Sequence, residues 1–200
     1  KHQQPATLNV KSNLDKLTLN NMQVFRFNFR HEKNQKILYL HGGYNTLQPS
    51  PFHWRLLDKL TLNTLHEVVL PIYPKSPDYH YLETFKAIRD VYNQLVEEVG
   101  ASNIVMMGDG SGGGLALSFV QSLINDNQEV HRKLFLLSPL LDATLTNPNI
   151  TKTLEENDIL VSRFGVHQLM KSWTNDLPLS DARISPLYGT LKGLPPIYMY

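Results

Sequence analysis

The sequence predicts an α/β fold, a mostly parallel sheet with helices on both faces. Three observations carry this. Short continuous apolar runs recur at Ile37-Leu38-Tyr39-Leu40, Val68-Val69-Leu70-Pro71-Ile72, Ile104-Val105-Met106-Met107 and Leu134-Phe135-Leu136-Leu137. Unbroken runs of this length suit strands buried on both faces, because neither face needs polar residues. Segments with helical spacing separate the runs, as parallel strands require. Glycine-rich loops follow two of the runs, at His41-Gly42-Gly43 and at Gly108-Asp109-Gly110-Ser111-Gly112-Gly113-Gly114.

Each element follows in turn. Residues 1–23 read as an N-terminal segment. Val24-Phe25-Arg26-Phe27-Asn28-Phe29 alternates apolar and polar, as a half-buried strand does. After the first continuous run, Pro51 to Leu65 reads as a helix with Trp54, Leu57, Leu60 and Leu65 near one face. A turn with Pro74 and Pro77 follows the next run. Leu82 to Val99 has helical spacing through Phe85, Ile88, Val91, Tyr92, Leu95 and Val99, and Gly100 stands where a C-terminal cap belongs. Leu115 to Ile124 reads as a helix, and Ser138-Pro139 ends the last run. From 141 to 186 the pattern loosens into polar turns with a helix near 165–173, as a cap or lid excursion would.

Two hundred residues favour one domain over 1–200, which can bury roughly 70% of its unfolded surface. The 19 basic against 18 acidic side chains leave a net charge of +1, which argues against a nucleic-acid or anionic-membrane partner. The chain has no Cys, so disulfides, thiolate metal sites and a cysteine nucleophile are excluded. No apolar run approaches the roughly 20 residues of a membrane span. Lys1-His2-Gln3-Gln4-Pro5 has neither an initiating Met nor an apolar stretch behind it, so it reads as a trimmed start rather than a signal peptide. Leu194-Pro195-Pro196-Ile197-Tyr198-Met199-Tyr200 reads as the first half of a buried strand, so the sheet is expected to be truncated before its last strands. A cytoplasmic protein without cofactor is expected, and self-association is left open.

In a parallel sheet, ligands bind beyond the carboxyl ends of the strands, so the two glycine loops should meet at one site. The second loop has two readings. Gly108-x-Gly110-x-x-Gly113 matches a dinucleotide fingerprint, which also needs an acidic residue roughly 20 positions on, at the end of the next strand. Asp126 is near that distance but lies before the next strand begins, and the fingerprint belongs to a first βα unit. The other reading is a nucleophile elbow, G-x-S-x-G, framed as Gly108-Asp109-Gly110-Ser111-Gly112 with glycine at the nucleophile position. The elbow strains its central residue by about 1–3 kcal/mol, and glycine adopts such angles with little penalty.

His41-Gly42-Gly43 with Gly108-Asp109-Gly110-Ser111-Gly112-Gly113 resembles the H-G-G-G and G-D-S-A-G-G motifs of the hormone-sensitive-lipase-like branch of the α/β-hydrolases. Tyr73-Pro74-Lys75-Ser76-Pro77, Leu137-Ser138-Pro139-Leu140-Leu141-Asp142, Ser185-Pro186-Leu187-Tyr188 and Gly193-Leu194-Pro195-Pro196 are similar to that branch in family order. The resemblance covers about Phe25 to Tyr200. It implies carboxylic-ester hydrolysis through a Ser-His-Asp triad, acting on a small-molecule ester or releasing an acid. Backbone N–H groups of Gly43, Tyr44 and Ser111 would then form the oxyanion hole, each worth about 3–4 kcal/mol. Tyr44 stands where a third small residue is usual, so its side chain must point away or narrow the pocket. Gly110 takes the nucleophile position, and the triad acid and histidine fall outside these residues. Two readings follow: an esterase or lipase-like hydrolase inactive as written, or a non-catalytic protein that binds a small acid, ester or acyl ligand.

Plainer roles compete for several residues. His41 and Asp109 are expected to fix their loops by hydrogen bonding, and Ser111 to act as a helix cap rather than a substitute nucleophile. His53, His66 and His80 read as surface residues, His131 enters a strand, and His167 lies in the excursion. None pairs with other ligands at metal spacing, so no metal site is expected. Asp142 and Asp158 could line the site but better suit turns or caps, and Glu155-Glu156-Asn157-Asp158 suits a solvated surface or a helix cap. Tyr44, Phe52, Trp54 and Trp173 are expected to pack.

Overall fold

A computed structural model describes residues 2–6, 8–28, 35–150, 156–158 and 162–200. Seven strands form one sheet: β1 (Leu14–Leu19), β2 (Met22–Phe27), β3 (Lys36–Leu40), β4 (Glu67–Pro71), β5 (Ile104–Asp109), β6 (Lys133–Leu137) and β7 (Ile197–Met199). Their order is β1-β2-β4-β3-β5-β6-β7. The β1–β2 and β2–β4 pairs are antiparallel, and β4, β3, β5, β6 and β7 run parallel. Helices α1 (Pro51–Thr64), α2 (Tyr81–Val99), α3 (Gly110–Asn125) and α4 (Arg163–Thr174) are the longer helices among the described residues. The mostly parallel α/β architecture is the one expected.

The apolar runs are buried on both faces for the anticipated reason. Leu38 and Leu40 join the core that α2, α3 and α4 cover, with Ile88, Leu95, Phe119, Met170 and Trp173. Ile37 and Tyr39 of the same strand join the core beneath α1, with Phe25, Phe27, Trp54, Leu57 and Leu70. In the 141–186 stretch, Ala143, Val166, Met170, Trp173 and Ile184 pack into the α2–α3 side of the sheet. The Trp173 indole N–H donates to Thr84 Oγ1 at 2.9 Å.

Several expectations are corrected. Residues 1–23 hold a strand, β1, whose Leu-Asp-Lys-Leu-Thr-Leu order lacks clean alternation because it lies half-exposed at the sheet edge. The polar position of β2 does not face water: Arg26 is buried among Glu67, Glu98 and Lys36, with ion pairs from Arg26 to both glutamates and from Lys36 Nζ at 2.9 and 2.7 Å. Phe29 lies outside the described residues. Leu65 is 45% exposed, because the chain turns there into the left-handed region (φ 57°) and leaves the helix. Helix α3 starts at Gly110, not Leu115, because its first turn packs backbone against backbone. A Cβ on Gly112 would lie 2.2 Å from the Leu40 carbonyl, and one on Gly114 2.1 Å from that of Leu140. Strand β7 forms beside β6, and its side chains are exposed among the described residues.

Candidate active site

The carboxyl ends of β3 and β5 lie side by side, with Leu40 paired to Gly108. Both glycine loops therefore start from neighbouring points. Asp109, the last residue of β5, joins them. Its Oδ1 accepts the Gly42 N–H at 2.9 Å and the Tyr39 hydroxyl at 2.8 Å. His53 Nε2 lies 3.1 Å from each carboxylate oxygen. Burial alone would raise the Asp109 pKa, but hydrogen bonds from His53, Tyr39 and Gly42 lower it below the ordinary value. Its loop-fixing role is as expected. A Cβ on Gly42 would fall 2.6 Å from Asp109 Oδ2, so only glycine lets the loop lie against this carboxylate.

His53 is a correction. It is half-buried at the third position of α1, where Ser50 N–H donates to its Nδ1 at 2.9 Å. The sequence carried a signal that went unread: Ser50 three positions before His53 has the spacing of a capping box, with histidine in place of Glu or Gln. His80 is likewise half-buried, at the N-cap of α2.

His41 is fully buried and its ring stacks on Tyr73 at 4.8 Å. A carbonyl can only accept, so Nδ1, 2.6 Å from Gly42 O, carries the proton. Burial and the charge of Lys75 hold the ring neutral, its pKa well below the usual histidine range. Tyr73 donates its hydroxyl to the His41 carbonyl at 2.5 Å. Lys75 Nζ donates to the Tyr73 carbonyl at 2.7 Å, and burial pushes its pKa down to about 7. Tyr39 did not stand out in the sequence, where it read as part of a strand, and Lys75 stood out only as part of the Tyr73–Pro77 stretch.

Gly43, Tyr44 and Gly110 all have positive φ, at 122°, 54° and 51°. The backbone after Asp109 therefore turns sharply into α3, and the space where a Gly110 side chain would begin is open, with nothing within 4 Å. The N–H groups of Gly43, Tyr44 and Ser111 engage no acceptor among the described residues. Tyr44 is half-buried and packs its side chain against the core rather than across the loop. Ser111 is not the expected cap: it is 5% exposed, and its Oγ is buried without a hydrogen-bond partner. A hydroxyl so enclosed is also poorly placed to attack anything.

Burial, and then the charge of Asp158, raises the pKa of the Tyr44 hydroxyl; apart from Asp158, the remaining residues fall away from this site. His131 is buried against Tyr92 at the entry to β6, and His167 Nε2 lies 2.8 Å from the Thr144 carbonyl. Asp142 closes a turn through Thr144. Residues 156–158 are exposed, and Glu155 lies outside the described residues. Trp54 and Trp173 are buried in the two cores, whereas Phe52 is exposed on α1. Among the described residues, no cluster of three or more His, Asp or Glu could hold a metal ion, and no helix is long and apolar enough to cross a membrane.

Residues 37–200 match a family model described as the alpha/beta hydrolase fold. The chain is 30% identical over 184 residues to a triacylglycerol lipase of Mycobacterium tuberculosis, covering 92% of this chain and 37% of that protein. It is 34% identical over 164 residues to an esterase of Acinetobacter venetianus, covering 81% and 54%. The chain thus spans between about a third and a half of these relatives' lengths. A crystal structure from Staphylococcus aureus, provisionally designated an esterase, is 65% identical with a TM-score of 0.97, covering all of this chain and 68% of that one. An esterase of the bacterial hormone-sensitive lipase family shares the fold, with a TM-score of 0.87 at 23% identity over 96% of this chain and 65% of that one. With the family model matched over residues 37–200 and the strands and glycine loops in the expected order, the chain belongs to the α/β-hydrolase fold family.

Proposed function

We propose that the junction of the two glycine loops is a carboxylic-ester hydrolase site, with the N–H groups of Gly43, Tyr44 and Ser111 as oxyanion donors and Gly110 at the nucleophile position. His41, Gly42 and Asp109 hold these donors in place. The observation that carries the reading is the set of three unengaged N–H groups around a left-handed Gly110 with open space above it. Donors fixed before the reaction stabilise a developing oxyanion without reorganisation, which makes such a site catalytic rather than merely polar. With no side chain at 110 there is nothing to form an acyl intermediate, so the chain as written does not turn over esters. The triad acid and histidine are assigned to no residue of these 200. The 141–186 stretch bounds the pocket.

The test joins this chain to the remaining part of the Staphylococcus aureus relative and measures p-nitrophenyl acetate hydrolysis with and without Gly110→Ser. The Gly110 form is expected near background, and the serine form faster by about 10³-fold or more. A serine form that stays inert removes the esterase reading. The open space above Gly110 favours a second reading, binding of a small acid, ester or acyl ligand without turnover. Thermal stabilisation of the unaltered chain by short carboxylic acids supports it, and a flat response counts against it.

A further inference from the structure

We infer that His53 is a positioning residue for the donor loop, acting through Asp109 rather than only as part of the α1 cap. The inference rests on the oxyanion reading above and adds a residue to it. A backbone N–H can only donate, so the 2.9 Å contact from Ser50 N makes His53 Nδ1 the unprotonated nitrogen. In the neutral ring the proton then sits on Nε2, which faces the Asp109 carboxylate 3.1 Å from both oxygens. Both ring nitrogens are thereby engaged, and neither is left to act on a substrate.

The other two Asp109 donors, Tyr39 hydroxyl and Gly42 N–H, both use Oδ1. His53 alone among these three reaches Oδ2 as well. Two donors on one oxygen leave the carboxylate able to twist about its Cβ–Cγ bond, and a third donor reaching the other oxygen stops that twist. The plane of the carboxylate matters here because Gly42 lies directly against it, with a virtual Cβ 2.6 Å from Oδ2. Gly43 and Tyr44 follow at once, so the tilt of Gly42 sets the direction of the next two N–H groups. The chain of action runs from α1 through His53 and Asp109 to Gly42 and the donors. The His53 ring is further wedged edge-on against His41 at 5.7 Å and Tyr39 at 6.3 Å, which fixes it between the two strands' ends.

A capping role and a positioning role predict different behaviour in three variants. At the third position of a helix, Glu and Gln both accept from the cap N–H. His53→Glu therefore keeps the cap but brings a like charge to Asp109. His53→Gln can keep both contacts, and His53→Ala loses both. The readout is hydrogen exchange of the Gly42 amide in the 200-residue chain. Loss of a charge-assisted hydrogen bond should speed it by about tenfold in the Ala and Glu variants. His53→Gln should restore protection, and exchange in β5 and β6 should not change. Long-range ¹H–¹⁵N spectra of the unaltered chain should show the Nε2–H tautomer. If His53→Glu protects Gly42 as well as histidine does, or the ring is the Nδ1–H tautomer, the inference is overturned. Should His53→Ala fail to fold, the Glu–Gln pair still decides. The readout uses no ester, so Gly42 can respond to His53 even where the Gly110→Ser chimera is inert. That result would uphold the His53 role and remove only the esterase reading.

Discussion

The two ends of the central strands both bury charge, and they handle it in opposite ways. At the amino ends of β3 and β4, Lys36 and Glu67 join Arg26 and Glu98 in a network where both cations contact both carboxylates. At the carboxyl ends, one carboxylate, Asp109, gathers neutral or histidine donors from three elements, while three backbone N–H groups nearby engage no acceptor among the described residues. The first arrangement satisfies its own charges and can only stabilise. The second leaves polar groups that, on the reading proposed above, would meet a bound ester or acid. A binding site differs from a structural ion network less in how polar it is than in what it leaves unpaired.

The comparison breaks most visibly at Glu67. Removing one member of a buried charge network strands the others, at a cost of about 3–5 kcal/mol. Glu67→Ala should therefore lower stability by about that much in urea denaturation, because Arg26 and Lys36 both lose a carboxylate that they share. A loss under about 1 kcal/mol would show that the amino end is solvated and not a closed network.

The glycines sharpen the carboxyl end. Gly112→Ala pushes a methyl into the Leu40 carbonyl, and overpacking against backbone costs about 3 kcal/mol. Gly110→Ala meets no neighbouring atom and costs only the left-handed strain, about 1–2 kcal/mol. Thermal melts of the two variants should separate in that order. Equal losses would mean that position 110 is enclosed, contrary to an open site.

A pH-dependent effect appears in acid. Burial raises Glu98, but hydrogen bonds and charges from Arg26 and Lys36 outweigh it and hold its pKa near about 2, against 4.5 unfolded. Its folded pKa is depressed, so its contribution is complete above about pH 4.5 and is lost as pH falls through about 2. His131 is depressed by burial from 6.5 to about 4. The unfolded chain then binds the extra proton between those values, and stability falls as pH drops from about 6.5 towards 4. Denaturation midpoints against pH should show both windows. His131→Leu should flatten the upper one and Glu98→Gln the lower one; a profile that neither variant changes would contradict these assignments.

Much of this was legible in the chain itself. Ile37 to Leu40 is apolar without interruption because its residues go alternately into two cores, and that pattern alone marks a buried parallel strand. The glycines at 42, 108 and 112 were legible as a site because close backbone contact admits no other residue. What stayed hidden depended on partners distant in sequence. Arg26 looked outward-facing until Glu67 and Glu98, 41 and 72 residues away, were placed beside it. His53 looked like a surface histidine because its partner Asp109 lies 56 residues on. Leu14 to Leu19 could not be read as a strand, since an edge strand half in water keeps no clean alternation.

The central claim is that, among the described residues, the N–H groups of Gly43, Tyr44 and Ser111 engage no acceptor, while the neighbouring donor of Gly42 is already taken. Titrating the ¹⁵N-labelled chain with acetate tests it directly, since a carboxylate oxygen carries the charge an oxyanion would. The account predicts saturable amide shifts at Gly43, Tyr44 and Ser111 with Gly42 almost unmoved. Shifts centred on Gly42, or none at the other three, would contradict it.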